Sequence, residues 1–145
     1  MTDPIKIRSR PPRSMATELL AGADLPVSDL TDEYLEHFFF TGPDSSPTGL
    51  VGLEIYGTDA LLRSLVVRAP ARAAGLGSVL VKHAENYARS NQVHAIYLLT
   101  TTAESFFEHR GYRRIDRAQA PPSIQSTREF ATLCPASSAL LIKQL

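Results

Sequence analysis

Apolar and polar positions alternate along this chain in a way that divides it into short strands around one long amphipathic helix. Ile5–Arg10 alternates apolar with polar residues, the pattern of an edge or half-buried strand, and Pro11-Pro12 ends it. Arg13–Ala21 then reads as a short helix with Met15, Leu19 and Leu20 inward, opened by proline and closed by Gly22. Residues 23–33 form a Pro- and Asp-containing connection with one helical turn at Leu30–Tyr34. Leu35–Thr41 carries His37-Phe-Phe-Phe40, a strong strand signal, and Gly42–Gly49 is turn chemistry throughout. Leu50–Tyr56 is the next strand. The tight turn Gly57-Thr58-Asp59 leads into the apolar run Leu61–Val67. Three strands joined by short turns make an antiparallel meander.

A loop, Arg68–Gly75, follows with a proline and two arginines. The long helix comes next. Its apolar positions Leu76, Val79, Leu80, Ala84, Tyr87 and Ala88 fall on one helical face, and Ser90-Asn91-Gln92 ends it. Ala95–Leu99 is a second apolar strand, so the strand–helix–strand succession implies a parallel crossover. Thr102 stands where it could cap a helix over Ala103–Arg110, with Gly111 as its stop. Tyr112–Asp116 is a strand, Pro121-Pro122-Ser123 opens a helix through about Arg128, and Ala139–Lys143 is the last strand. The expected fold is a mixed α/β sheet, antiparallel first, with one parallel pair at its centre.

The length of 145 residues suits a single domain, 1–145, with a real core, and 43% hydrophobic residues is ordinary for a globular protein. Fifteen basic residues balance fifteen acidic ones, which argues against a nucleic-acid partner. One cysteine excludes an internal disulfide and suits a reducing compartment, so the expected location is cytoplasmic. No apolar run approaches the ~20 residues of a membrane helix, and the N-terminus has no apolar stretch of a secretory signal, so no membrane partner is expected. His37, His83, His94 and His109 do not fall at ligand spacing with Cys or acids, and no metal is expected.

The chemistry concentrates at the junction of the strand Leu61–Val67 with the long helix. Gly75 and Gly77 permit a tight turn and close approach to a ligand, and the first helical turn offers unpaired N–H groups and partial positive charge. A diphosphate fits such a place, with Arg72 adding charge; a plain surface turn with a solvated arginine is the alternative. Arg72-Ala73-Ala74-Gly75-Leu76-Gly77 resembles the acyl-CoA signature of the GNAT N-acetyltransferases, an Arg or Gln followed by x-x-Gly-x-Gly or Ala. Ala95–Leu99 resembles that superfamily's fifth strand, and Phe106-Phe107-Glu-His-Arg-Gly111-Tyr112 its next helix and turn, so the resemblance covers nearly the whole chain. Tyr97–Phe107 and Phe130–Ser137 are similar to the small arsenic-resistance N-acetyltransferases within it.

The resemblance implies a GNAT fold of six to seven strands and about four helices, with the fourth and fifth strands splayed apart. It implies acetyl-CoA as cosubstrate. Its pantetheine arm would pair with Leu65, Val66 and Val67, and its pyrophosphate would lie on Arg72–Gly77 and Ser78, with Phe106 along the arm. A small-molecule amine would attack the thioester directly, and homodimers are common among such folds. The enzyme must then supply proximity, a route for the amine proton, oxyanion stabilisation and protonation of the leaving thiolate.

Three side chains are candidates for that work. Arg63 stands where the superfamily often carries a base; as an arginine it stays protonated and can grip an anionic group on the acceptor. The alternative is an ion pair with Glu54 on the adjacent strand. Glu54, the one acid inside its strand, could orient the acceptor's ammonium or pass its proton on; the alternative is an exposed surface acid. Many relatives place a thiolate-protonating tyrosine on the helix after the fifth strand, where this chain has Phe107. Tyr112, Ser105 or water would then serve. Cys134 reads as a small buried residue before a turn or as a thiol near the acceptor pocket, and His83 as a core histidine. The expected function is transfer of an acetyl group to a small, anionic, amino-acid-like amine, in arsenic or antimetabolite detoxification. A catalytically weak acyl-CoA sensor is the alternative.

Overall fold

The computed structural model describes residues 6–23, 25, 27, 30–43, 46–68, 75–133 and 137–145. Its strands are β1 (Ile7–Ser9), β2 (Phe38–Thr41), β3 (Gly49–Tyr56), β4 (Asp59–Val67), β5 (Ala95–Thr100), β6 (Arg113–Ile115) and β7 (Ala139–Gln144). They form one seven-stranded sheet in the order β1-β2-β3-β4-β5-β7-β6. The pairs β1/β2 and β2/β3 are antiparallel, β4/β5 is parallel, and β7 lies antiparallel to both β5 and β6. The helices are α1 (Arg13–Gly22), α2 (Asp32–Leu35), α3 (Leu76–Ser90), α4 (Glu104–Glu108) and α5 (Pro122–Gln125). A 3-10 turn at Arg117–Gln119 and a π-helical turn at Glu129–Leu133 complete the described elements. This is the expected mixed sheet, with more helical pieces than expected because residues 116–133 break into short segments.

Contacts divide the chain into two compact units, Met1–Leu53 with Ser64–Ala84 and Glu54–Arg63 with Glu85–Leu145. In the first, α1 turns Met15, Ala16, Leu19 and Leu20 inward, onto a core that includes Leu30, Leu35, Phe38, Phe40, Leu50 and Val66. Leu35 belongs to α2 and not to the strand the sequence suggested. Thr31 Oγ1 accepts the Tyr34 N–H at 3.2 Å, and Asp32 and Glu33 sit in the first turn, so capping and dipole both favour a helix there.

Gly52 of β3 lies under the buried Phe38 ring; a Cβ there would sit 2.4 Å from ring carbons Cε1 and Cζ. The ring cannot yield inside a packed core. Gly52→Ala is expected to cost about 1–3 kcal/mol in urea unfolding. Adding Phe38→Leu should return part of that loss, because the two substitutions share one contact. Strictly additive costs would refute this account.

In the second unit Leu61, Ala95, Tyr97, Ala120, Ile124, Leu140 and Ile142 form the core, with Tyr56, Leu99, Ile115 and Phe130 packed against it. Asp116 and Gln119 make a reciprocal capping box that starts the 3-10 turn. Arg117 then ties the connection down: it donates to the carbonyls of Ser138 and Phe130, each at 3.2 Å, and lies 4.4 Å above the Phe130 ring. The helix expected through Arg128 stops at Gln125. The expected cap at Thr102 is also displaced. Ala103 holds the N-cap position of α4, and Thr100 Oγ1 accepts its N–H at 2.9 Å. Gly111 ends the following turn with φ 93°, as a left-handed stop requires.

Candidate active site

β4 carries the junction. Its parallel register with β5 runs from Asp59↔Ala95 to Leu61↔Tyr97, three of its nine residues. Ser64, one residue past Arg63, takes φ 62°, a left-handed break inside an extended strand. Beyond it Leu65 is half-buried and Val66 and Val67 are buried. Arg72, Ala73 and Ala74 lie outside the described residues. Gly75 takes φ 74° and is followed at once by the 15-residue α3. Leu76 is buried, Gly77 and Ser78 are half-buried, and the Val79 N–H reaches the Gly75 carbonyl at 3.3 Å. Gly49 of β3 lets this first turn lie close to the strand, since a Cβ there would stand 2.8 Å from Leu80 Cδ1 and 3.1 Å from Leu76 Cδ2. A strand, a left-handed glycine and a long helix thus follow one another in the chain, and the N-terminus of that helix is suited to an anionic group.

Glu54 and Arg63 flank the β3–β4 hairpin turn, where Gly57 takes φ 64°. Each is only 3% exposed, so Glu54 is not an exposed surface acid. Arg63 Nη1 stands 2.8 Å from Glu54 Oε2, so the ion pair posed as the alternative to acceptor gripping is formed. A second carboxylate completes the cluster: Glu129 Oε1 lies 3.1 Å from Arg63 Nη2. The Tyr56 hydroxyl donates to the other oxygen of Glu54. One guanidinium therefore bridges two carboxylates in a buried place, where each charge depends on the others. Sequence reasoning missed Glu129. It heads a π-helical turn in a stretch without hydrophobic period, and only the fold brings it to Arg63.

Tyr112, the candidate thiolate donor, is engaged within the fold. It is buried, its ring stands 5.4 Å from that of Phe107, and its hydroxyl donates to Glu85 Oε2 at 3.0 Å. Lys143 Nζ reaches both Glu85 oxygens, at 3.1 and 3.0 Å, and the Arg110 carbonyl at 2.8 Å. The three side chains pin α3, β7 and the Gly111 turn together, and the Tyr112 hydroxyl is engaged as a donor to Glu85. Phe107 is buried and Phe106 half-buried, with the Arg110 guanidinium 3.6 Å above the Phe106 ring. Ser105 is exposed. His83 is half-buried, meets the Phe39 ring edge-on at 4.7 Å, and burial lowers its pKa, as a core histidine would behave. Cys134 lies outside the described residues.

Burial, then the charge of Glu85 and its hydrogen bond, push the Tyr112 phenol far above its ordinary 10.0, while Arg89 pulls weakly the other way. The neutral phenol is the favoured form in the fold. Its stabilisation is complete below the unfolded value and is lost as pH rises past it. Stability should therefore fall above about pH 10 by about 1.4 kcal/mol per pH unit from this group. Tyr112→Phe should flatten that alkaline slope in denaturation monitored by circular dichroism. A residual slope from Tyr97, raised by burial and by Asp59, is expected to persist. An unchanged slope in the variant would show that Tyr112 ionises freely.

Among the described residues no group of three His, Cys, Asp or Glu could hold a metal ion, and no helix is long and apolar enough to cross a membrane. Residues 9–114 match the acetyltransferase (GNAT) family. An uncharacterized N-acetyltransferase of Chlorobaculum tepidum is 29% identical over 115 residues, covering 77% of this chain and 74% of the relative. N-acetylglutamate synthase from Neisseria gonorrhoeae, complexed with coenzyme A and N-acetyl-glutamate, matches 100% of this chain with TM-score 0.85 at 17% identity. The match takes in 36% of the synthase, so the chain spans about a third of that protein. The PaiA N-acetyltransferase from Thermoplasma acidophilum, in complex with coenzyme A, matches with TM-score 0.68 at 16% identity, covering 99% of this chain and 100% of that one. At such identities the structures speak for the fold, and the family match spans most of the sequence: the chain belongs to the acetyltransferase (GNAT) family.

Proposed function

We propose that this acetyltransferase moves the acetyl group of acetyl-CoA to the amine of a small, anionic, amino-acid-like acceptor. The observation that carries the cosubstrate is the junction at Gly75, where a left-handed glycine directly precedes the N-terminus of α3. The diphosphate would lie on Arg72, Ala73, Ala74, Gly75, Leu76, Gly77 and Ser78, and the pantetheine arm along Leu65, Val66 and Val67. Phe106 would line the arm. The neutral amine attacks the thioester carbonyl, forming the C–N bond. Collapse of the tetrahedral oxyanion breaks the C–S bond. The amine proton would leave through Glu54 and its partner Tyr56, and the thiolate would take a proton from water, since the Tyr112 hydroxyl is engaged in its hydrogen bond to Glu85. Arg63, the buried cation of β4, would read the acceptor's carboxylate. Support for an amino-acid acceptor comes from the bound N-acetyl-glutamate of the Neisseria synthase. The proposed setting is cytoplasmic detoxification of an arsenical or antimetabolite amino acid.

Buried Phe107 and the commitment of Tyr112 to Glu85 favour a second reading, an acyl-CoA sensor with little turnover. Thiol release from acetyl-CoA separates the two. The panel holds amino acids, their phosphinic and arsinic analogues, and polyamines, with calorimetry of acetyl-CoA alongside. Turnover with an anionic amino acid is the expected result. Tight acetyl-CoA binding with no turnover supports the sensor, and no acetyl-CoA binding refutes both.

A further inference from the structure

The Arg63 cluster holds one more carboxylate than an ion pair needs, and the extra one comes from a distant, irregular turn. Glu54 is joined to Arg63 through the hairpin, with side chains 1% and 0% exposed. Glu129 is the outer partner, its side chain 7% exposed. The turn that carries it does not depend on Arg63 for its place. The Phe130 N–H bonds to Thr127 Oγ1 at 3.2 Å, the Ala131 N–H to the Thr127 carbonyl at 2.9 Å, and Thr127 Oγ1 to the Ile124 carbonyl at 2.7 Å. Arg117 holds the Phe130 carbonyl and ring from the other side. The backbone at Glu129 is thus held by bonds other than the one its carboxylate makes to Arg63. π-Helical turns recur at functional positions because they re-aim a side chain without unwinding the helix around it.

We propose that Glu129 is a specificity-determining residue: its carboxylate occupies on Arg63 Nη2 the place that an acceptor's carboxylate takes. This rests on the acceptor-reading role of Arg63 proposed above. A carboxylate for a carboxylate leaves the charge and the hydrogen bonds of the guanidinium unchanged, so the exchange is close to balanced. Glu129, the outermost member, then swings toward solvent. A neutral group of the same shape cannot replace it without leaving the buried guanidinium short of an anion, which costs far more than the contact returns. The protein would therefore reject amines that lack a carboxylate even when they fit by size, and it would bind correct acceptors more weakly than a permanently vacant arginine would. Glu129 acts as a positioning residue, because it acts through Arg63 and leaves when substrate arrives.

The test compares L-glutamate with its diamide, L-glutaminamide, which carries no carboxylate, in the wild-type protein and Glu129→Gln. The glutamine keeps the volume and one acceptor oxygen, so the fold is retained, but it competes poorly for Arg63. KM for L-glutamate should fall about tenfold in the variant, with kcat within about twofold and KM for L-glutaminamide unmoved. A second readout needs no turnover. Carbodiimide-driven coupling of glycine ethyl ester, located by mass spectrometry, should label Glu129 in the wild-type protein several-fold more with CoA and N-acetyl-L-glutamate present than without. Wild-type protein that prefers L-glutamate, with that preference and KM unaltered in Glu129→Gln and Glu129 no more reactive when the ligands bind, overturns the exchange and leaves the Arg63 anchor standing. Equal use of L-glutamate and L-glutaminamide by the wild-type protein overturns the anchor itself, and the exchange with it.

Discussion

Arg63→Met is expected to lower the unfolding free energy by about 3–5 kcal/mol. The guanidinium stands between Glu54 at 2.8 Å and Glu129 at 3.1 Å, and removing it leaves two carboxylates facing each other out of water. Methionine fills the volume, so the loss measures uncompensated charge and not a cavity. Urea denaturation of the single variant should be followed by Arg63→Met combined with Glu54→Gln and Glu129→Gln. The triple variant should regain most of the loss, because an apolar or neutral replacement of a whole buried ion cluster is often close to neutral. A single variant that loses less than about 1 kcal/mol would mean that water reaches the cluster and screens it.

Gly75→Val should weaken acetyl-CoA binding about 10- to 100-fold while leaving the thermal midpoint nearly where it was. Gly75 takes φ 74°, and a Cβ there would meet nothing within 4 Å, so the penalty is one of backbone conformation and not of collision. A β-branched residue in that region carries about 1–3 kcal/mol of strain, which is about 5- to 150-fold if borne wholly by binding and so brackets the expected loss. The loop escapes the strain by rotating to negative φ, and that turns the first N–H groups of α3 away from the diphosphate. Gly75→Asn, whose short side chain tolerates the left-handed region, should bind far more nearly as the wild type does. Calorimetry of acetyl-CoA with the three proteins checks the order. Valine and asparagine variants binding alike would show that the glycine's conformation is not what matters.

The strands of the sheet and the long helix were legible because each buries a regular face. The phenylalanine run of β2, the Leu/Val run of β4 and the 3.6-residue stripe of α3 all stand out without tertiary knowledge. The Glu54–Arg63 pair was legible too, since a tight hairpin turn fixes which residues of neighbouring strands can meet. Two features escaped. Leu35 looked like the start of an aromatic strand, although Thr31 followed by Asp32 and Glu33 was a helix-start signal. The 116–133 stretch has no single period and is tied down by long-range bonds from Arg117. Glu129 and the engagement of Tyr112 with Glu85 depend on residues far apart in the chain, and local pattern carries no information about such pairs.

The strand order also sets when the second half of the molecule can come together. β7 lies between β5 and β6, and among the described residues every strand pairing of β6 is made to it. Until Ala139–Gln144 is in place, β6 therefore has no partner strand among the described residues and β5 keeps one edge open. Pairings this distant in sequence are slow to close, because loop entropy is lost before the contacts form. During that interval the open edges of β5 and β6 are templates for a strand from another copy, so exposure to misassembly is greatest just before the last strand docks.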